Sequence, residues 1–120
     1  MRILEGTTSA LITIVEYADF QCPYCRIGHK SLEAFKKKYK GQIQFVFKNM
    51  PLDGHQMAYP AAAYFEAIRR QGGDKALKFY NLLFKNQGEL SEAYLKKAAL
   101  KVGANMARLA EDLASSAIPI

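Results

Sequence analysis

Cys22 and Cys25 are the two cysteines of this chain, and Pro23 and Tyr24 separate them in the stretch ADFQCPYCR. Thiols at this spacing can hold a metal, staple a fold or exchange electrons. On a helix, residues three apart share a face, so the two sulfurs can meet. A Cys22 at the helix N-cap lies beside unpaired N–H groups and the positive end of the helix dipole. Both favour its thiolate, and nearby Arg26 adds positive charge. A stabilised thiolate is available as a nucleophile and is a good leaving group. Cys25, one turn deeper, can attack a mixed disulfide and release the partner.

The two other chemistries fit less well. A closed zinc site usually takes four ligands, and only His29 and His55 remain to complete one, at a spacing that matches no common finger. A purely structural disulfide would close a very short loop and constrain the unfolded chain little. A CXXC pair between a strand and a helix is instead a specific redox signal. The reading is a redox pair that needs neither a metal nor an organic cofactor.

The elements around the pair follow from the residue pattern. Ala10–Tyr17 is β-branched and mostly apolar, and reads as a buried strand. A helix begins at Cys22–Pro23, where proline suits the first helical position. Ile27, Leu32 and Phe35 are its expected apolar contacts, and Gly41 its stop. QIQFVF reads as a second strand, which makes a parallel strand–helix–strand crossover. A helical section follows. It has one helix starting near Met57 with the stripe Ala61, Tyr64, Phe65 and Ile68, and a second, capped by Asp74, with Leu77, Tyr80, Leu83 and Phe84. A third helix after Ser91 faces Leu95, Ala98, Ala99 and Val102 inward. A fourth, capped by Asn105, carries Met106, Leu109, Ala110 and Leu113.

The chain has 120 residues, the size of one ordinary domain, half of it hydrophobic and 23% charged. The net charge of +6 gathers in KSLEAFKKKYKGQ. No aromatic-rich or Arg-rich groove motif accompanies that run, so it reads as a solvated helix face with no nucleic-acid partner. No apolar run approaches the ~18 residues of a membrane span. MRILEGTTSA lacks the long apolar centre of a signal peptide.

At VEYADFQCPYCR the sequence resembles the DsbA-like branch of the thioredoxin superfamily. The resemblance continues through FVFKNMPLDGHQMAYPAAAYFEAI and FYNLLFKNQGEL. Glutaredoxins can share Cys-Pro-Tyr-Cys but lack the long helical insertion. The resemblance implies an α/β fold, partly thioredoxin-like, with the CXXC at a helix start and an inserted helical domain. Residues 1–52 would form the N-terminal βαβ part, 53–117 the insertion, and 118–120 a tail. It also implies that Cys22 is the exposed nucleophile, that Cys25 resolves, and that Pro23 and Tyr24 tune their potential. Glu16 matches a buried acidic residue proposed to manage protons near Cys25. Asp19 is a weaker candidate, His29 an ordinary solvent-facing residue, and His55 a loop or helix-start residue.

The implied activity is thiol–disulfide oxidoreduction on cysteine-containing protein substrates. It is closer to an oxidase than an isomerase, since no dimerisation domain precedes the motif. The implied location is extracytoplasmic, in the periplasm or cell envelope, with a membrane quinone-linked partner for reoxidation. Family members continue beyond the insertion with a cis-proline loop, two strands and a helix, whereas this sequence stops at DLASSAIPI after a short MRILEG start. Pro51 and Pro60 are misplaced for that loop, and no strand pair follows Pro119. A chain truncated there leaves strand edges and apolar faces open, so a homo-oligomer is expected. The rival reading is a non-enzymatic interaction or self-assembly module that retains the redox motif.

Overall fold

A three-stranded sheet is the base on which the cysteine pair is mounted. The computed structural model describes residues 3–115, so Ile118, Pro119 and the AIPI tail lie outside the described residues. The strands are β1 (Glu5–Gly6), β2 (Ile12–Ala18) and β3 (Ile43–Asn49), in the order β1-β3-β2. β2 and β3 run parallel, with Ile12 opposite Ile43 and Ala18 opposite Asn49. Helix α1 (Pro23–Lys38) connects them. The helical section is α2 (Ala58–Arg69), α3 (Gly73–Lys85), a short 3-10 turn (Gln87–Glu89), α4 (Glu92–Lys101) and α5 (Met106–Ala114). The expected mixed architecture is therefore present.

The start of the chain is more than an abbreviated lead-in. β1 pairs antiparallel with β3, and Leu4 N donates to Phe45 O at 2.7 Å. Gly6 has φ +101, and a Cβ there would meet Ile43 O at 2.2 Å, so only glycine allows this approach.

β2 departs from the expectation of a buried strand. Ile14, Glu16 and Ala18 turn inward, whereas Val15 and Tyr17 are exposed, Tyr17 to 58%. Leu11, just before the strand, is 97% exposed. Among the described residues β2 has a hydrogen-bonded neighbour on one side only. The apolar run signalled a strand, but it could not say which face would be covered.

Helix α1 also turns differently from the apolar count. Ile27 is 62% exposed and Phe35 41%. The inward row is Cys25, His29, Leu32 and Lys36, spaced as one helical face should be. Lys36, one member of the basic run read as solvated, is 8% exposed and buried. Its ammonium lies 2.8 Å from Glu5 Oε1 and 2.9 Å from Glu33 Oε1, and 4.2 Å from the Phe45 ring centroid. The carboxylates neutralise the charge, and its aliphatic stem serves as apolar cover.

The helical section packs on the inner face of the sheet through rings. Phe20 is 1% exposed. Its ring centroid lies 5.2 Å from Phe47, 5.7 Å from Phe65 and 5.1 Å from Phe84. Tyr80 reaches Phe45 at 5.8 Å and Phe47 at 5.0 Å. A polar clamp adds to this. Arg69 pairs with Glu66 in a bidentate arrangement and donates to Phe47 O, and Asn49 Nδ2 donates to Glu66 Oε2 at 2.7 Å. The expected stripes of α2 and α4 are buried, and Ser91 and Asn105 cap α4 and α5 through their side chains. Asp74 does not cap α3, because Gly72 holds the N-cap and Asp74 lies in the first turn. In α5, Leu109 is buried and Ala110 exposed.

Phe20 joins the ring cluster directly to the loop that carries Cys22. Phe20→Ala is predicted to destabilise the protein by about 3–5 kcal/mol, the usual cost of emptying a buried phenylalanine site. Urea unfolding followed by circular dichroism measures it. A loss below about 1 kcal/mol would mean that the cluster does not bear on stability at this position.

Candidate active site

β2 ends at Ala18, and the chain turns through Asp19, Phe20 and Gln21 before α1 begins. Cys22 is the N-cap of α1, in extended backbone at φ −74 and ψ 122, and Pro23 occupies the first helical position. The helix starts there because proline pre-sets the helical φ and has no N–H to leave unpaired. Cys22 O accepts from Cys25 N at 3.1 Å and Arg26 N at 3.2 Å. No side chain caps this end. Cys22 and Cys25 are half-buried free thiols, whereas Tyr24 is 83% exposed. The first turn therefore brings Cys22, Pro23, Tyr24 and Cys25 together at the surface.

The two thiols differ in surroundings. Burial pushes the Cys25 thiol above its ordinary value, a backbone hydrogen bond at Asp19 works against that, and the neighbouring Cys22 sulfur adds to it. Cys25 is thus held as a protonated, inner thiol. Glu16 lies deeper, where its carboxylate accepts from Tyr80 Oη at 2.7 Å. Burial raises the Glu16 carboxyl, and Tyr80, His29 and Lys36 draw it back down.

Asp19 has a larger role than sequence reasoning gave it. Its side chain is 1% exposed and accepts from Gln21 N at 2.7 Å, Leu52 N at 2.9 Å and His55 Nδ1 at 2.8 Å. One carboxylate thereby fixes the cysteine loop, the loop after β3 and the approach to α2. His55 is accordingly more than a loop residue. His29 is not solvent-facing: its side chain is 12% exposed, stacks on Phe84 at 4.9 Å and lies 3.1 Å from Asn81 Oδ1. Each histidine thus has partners of its own.

Two glutamines complete the frame. Gln21 Oε1 accepts from Met57 N at 2.9 Å. Gln87 Nε2 donates to Phe20 O at 2.9 Å and to Cys22 O at 2.8 Å. Neither stood out in the sequence, since a glutamine in a loop carries no periodic signal. The pattern DFQCPYC was the available hint for Gln21. Nothing in NQGEL pointed back to a residue so far away in the chain.

The chain is similar to known proteins in sequence and in fold. A family model described as thioredoxin matches residues 1–119. The Na(+)/H(+) antiporter NhaA 3 of Salinispora tropica is 34% identical over 112 residues, 92% of this chain and 17% of that protein. The probable disulfide bond formation protein D of Bacillus cereus is 35% identical over 98 residues, 79% of this chain and 45% of that protein. The chain spans less than half the length of either relative. The thiol-disulfide exchange protein alpha-DsbA2 of Wolbachia pipientis superposes with a TM-score of 0.79 at 17% identity. That match covers 91% of this chain and 57% of that one, a likeness of fold. A thioredoxin family model over almost the whole chain, a strand–loop–helix that mounts two thiols, and a helical section packed behind them lead to one assignment: the chain belongs to the thioredoxin family.

Proposed function

We propose that Cys22 and Cys25 form a redox couple that makes or exchanges disulfides in protein substrates. The supporting observation is the placement of Cys22 at the bare N-terminus of α1, with Cys25 one turn inside and held as a thiol. The Cys22 thiolate attacks one sulfur of a client disulfide and expels the other as a thiolate. The mixed disulfide so formed is attacked by Cys25, which gives up its proton. The second client sulfur leaves, and a Cys22–Cys25 disulfide remains. Two electrons pass to the client, and the reverse sequence oxidises a client dithiol. Pro23 sets the helix start, and exposed Tyr24 borders the pair where a client chain would lie. The proposed division is a βαβ part, 1–52, and a helical insertion, 53–117, with 118–120 as a tail; the described residues of the first part carry the pair and those of the second cover it from behind.

Oxidising chemistry of this kind belongs outside the cytoplasm, in the periplasm or cell envelope. Reoxidation there falls to a membrane quinone-linked partner, as the DsbA-like resemblance implies. The second reading, an interaction module with a retained redox motif, draws on the similarity to part of a protein named as an antiporter. Trapping separates the two. Cys25→Ala should accumulate mixed disulfides through Cys22, visible as mass-shifted species that vanish on reduction. Cys22→Ser should reduce insulin no faster than background. Wild-type activity in Cys22→Ser, or no trapped species in Cys25→Ala, would remove the pair from the mechanism.

Glu16 is proposed to take up and return the Cys25 proton. Its raised pKa fixes the sign of a linkage effect. The folded form holds the proton more tightly than the unfolded chain. The stabilisation from that protonation is full below the ordinary 4.5 and is lost as pH rises through the folded value. Glu16→Gln keeps a neutral acceptor for Tyr80. It should therefore be more stable than wild type at neutral pH, with the advantage fading in acid, while resolution by Cys25 slows. Urea midpoints across pH, alongside stopped-flow resolution rates, test both. A stability advantage that grows toward acid contradicts the assignment.

For assembly we propose a homodimer or larger oligomer through the edge of β2 that has no hydrogen-bonded neighbour among the described residues. Exposed Leu11 and Tyr17 flank that edge, and covering apolar surface contributes about 25 cal/mol per Å². Light scattering after size exclusion under reducing conditions should show at least a dimer. A compact monomer at micromolar concentration would rule this out.

A further inference from the structure

Gln87 stands in the helical section, yet both of its amide protons are used on the cysteine loop. Its Nε2 donates to Phe20 O at 2.9 Å and Cys22 O at 2.8 Å. A glutamine amide has two N–H donors, and two carbonyl oxygens as partners fix which end of the amide faces them. The side chain is held from behind. The neighbouring Asn86 donates through Nδ2 to Leu82 O at 3.1 Å and to Tyr94 Oη at 2.8 Å. The 3-10 turn that begins at Gln87 closes with Glu89 N donating to Asn86 O at 2.9 Å. Gln87 is half-buried, so these bonds are partly shielded from water.

The two carbonyls it touches bracket Gln21 and end at the N-cap. Cys22 O already accepts from Cys25 N and Arg26 N. A third donor on that oxygen, and one on Phe20 O, offset the negative ends of the peptide dipoles of Phe20 and Cys22 itself. The local field then favours a sulfur that carries negative charge. A disulfide sulfur carries none, so the bias acts on one redox form only.

We infer that Gln87 is a positioning residue through which the helical section tunes the redox equilibrium of Cys22 and Cys25, favouring the dithiol form. The inference rests on the redox couple proposed above. The equilibrium with glutathione is balanced: protein disulfide plus two glutathione thiols gives the protein with a Cys22 thiolate and a Cys25 thiol, plus glutathione disulfide, with two electrons and one proton passing to the protein and one proton released to solvent. Gln87 acts on it by stabilising the charged Cys22 sulfur in the dithiol form, and not by touching a client.

The test equilibrates wild type, Gln87→Leu and the isosteric Gln87→Glu in glutathione buffers, with acid quench and mass analysis of the bridged form. Urea unfolding of the oxidised and reduced forms of each protein accompanies it. Removing the donors should shift the equilibrium about threefold or more toward the protein disulfide, the scale of one ordinary hydrogen bond. The reduced form should lose more stability than the oxidised form, as the thermodynamic cycle requires. An unchanged equilibrium, with both forms weakened alike, overturns the inference and leaves Gln87 a structural tether. Gln87→Glu removes the donors but adds negative charge, so if Gln87→Leu fails to fold, Gln87→Met, neutral and of similar length, gives the same readout. A wild-type protein that forms no reversible couple overturns the inference together with its parent reading, and this is seen before any variant is made.

Discussion

A buried carboxylate with three hydrogen bonds holds the candidate active site in place. Asp19 lies at the end of β2 with almost no solvent contact. A carboxylate there is costly unless its oxygens are matched by donors. The donors come from three segments: Gln21 beside the cysteines, Leu52 after β3, and His55 before α2. Meeting the needs of one side chain therefore brings three stretches of backbone into register. The position of Cys22 follows from this, because its own N–H donates to Asp19 O at 3.2 Å.

The ring cluster makes that arrangement rigid. Phe20 immediately follows Asp19 and sits among Phe47, Phe65, Tyr80 and Phe84. The loop thus has its polar end fixed by hydrogen bonds and its apolar end fixed by packing. Behind α1 lies a group of ionisable side chains. His29, Lys36 and Glu33 share one neighbourhood, with Glu16 and Tyr80 beside them. His29 and Lys36 hold the Glu33 carboxyl down at about 2 against the effect of burial. Charges placed this way make the field around the thiols a property of the fold rather than of the two cysteines alone.

The parts legible in the sequence were those written in local pattern. Pro23 after Cys22 marked the helix start, the serine and asparagine caps marked α4 and α5, and the alanine–aromatic stripes marked the buried faces. Other features depended on distant residues. Burial of Lys36 requires Glu5, thirty-one positions away, and the carbonyl contacts of Gln87 reach back across more than sixty. The exposure of β2 was hidden for a related reason, since an apolar strand looks the same whether one face or both are covered. Asp19 and His55 each stand out in the sequence as single residues. Their pairing does not, because it exists only once β3 has brought the two loops together.

The proposed chemistry requires two unequal cysteines, with Cys22 open to clients and Cys25 held inside as a thiol. Native thiol labelling tests this most directly. The reduced protein is exposed to iodoacetamide at neutral pH, quenched over time and mapped by peptide mass. Cys22 should be modified well ahead of Cys25, and the difference should disappear when the protein is unfolded. Equal labelling in the folded protein, or modification of Cys25 first, would contradict the account.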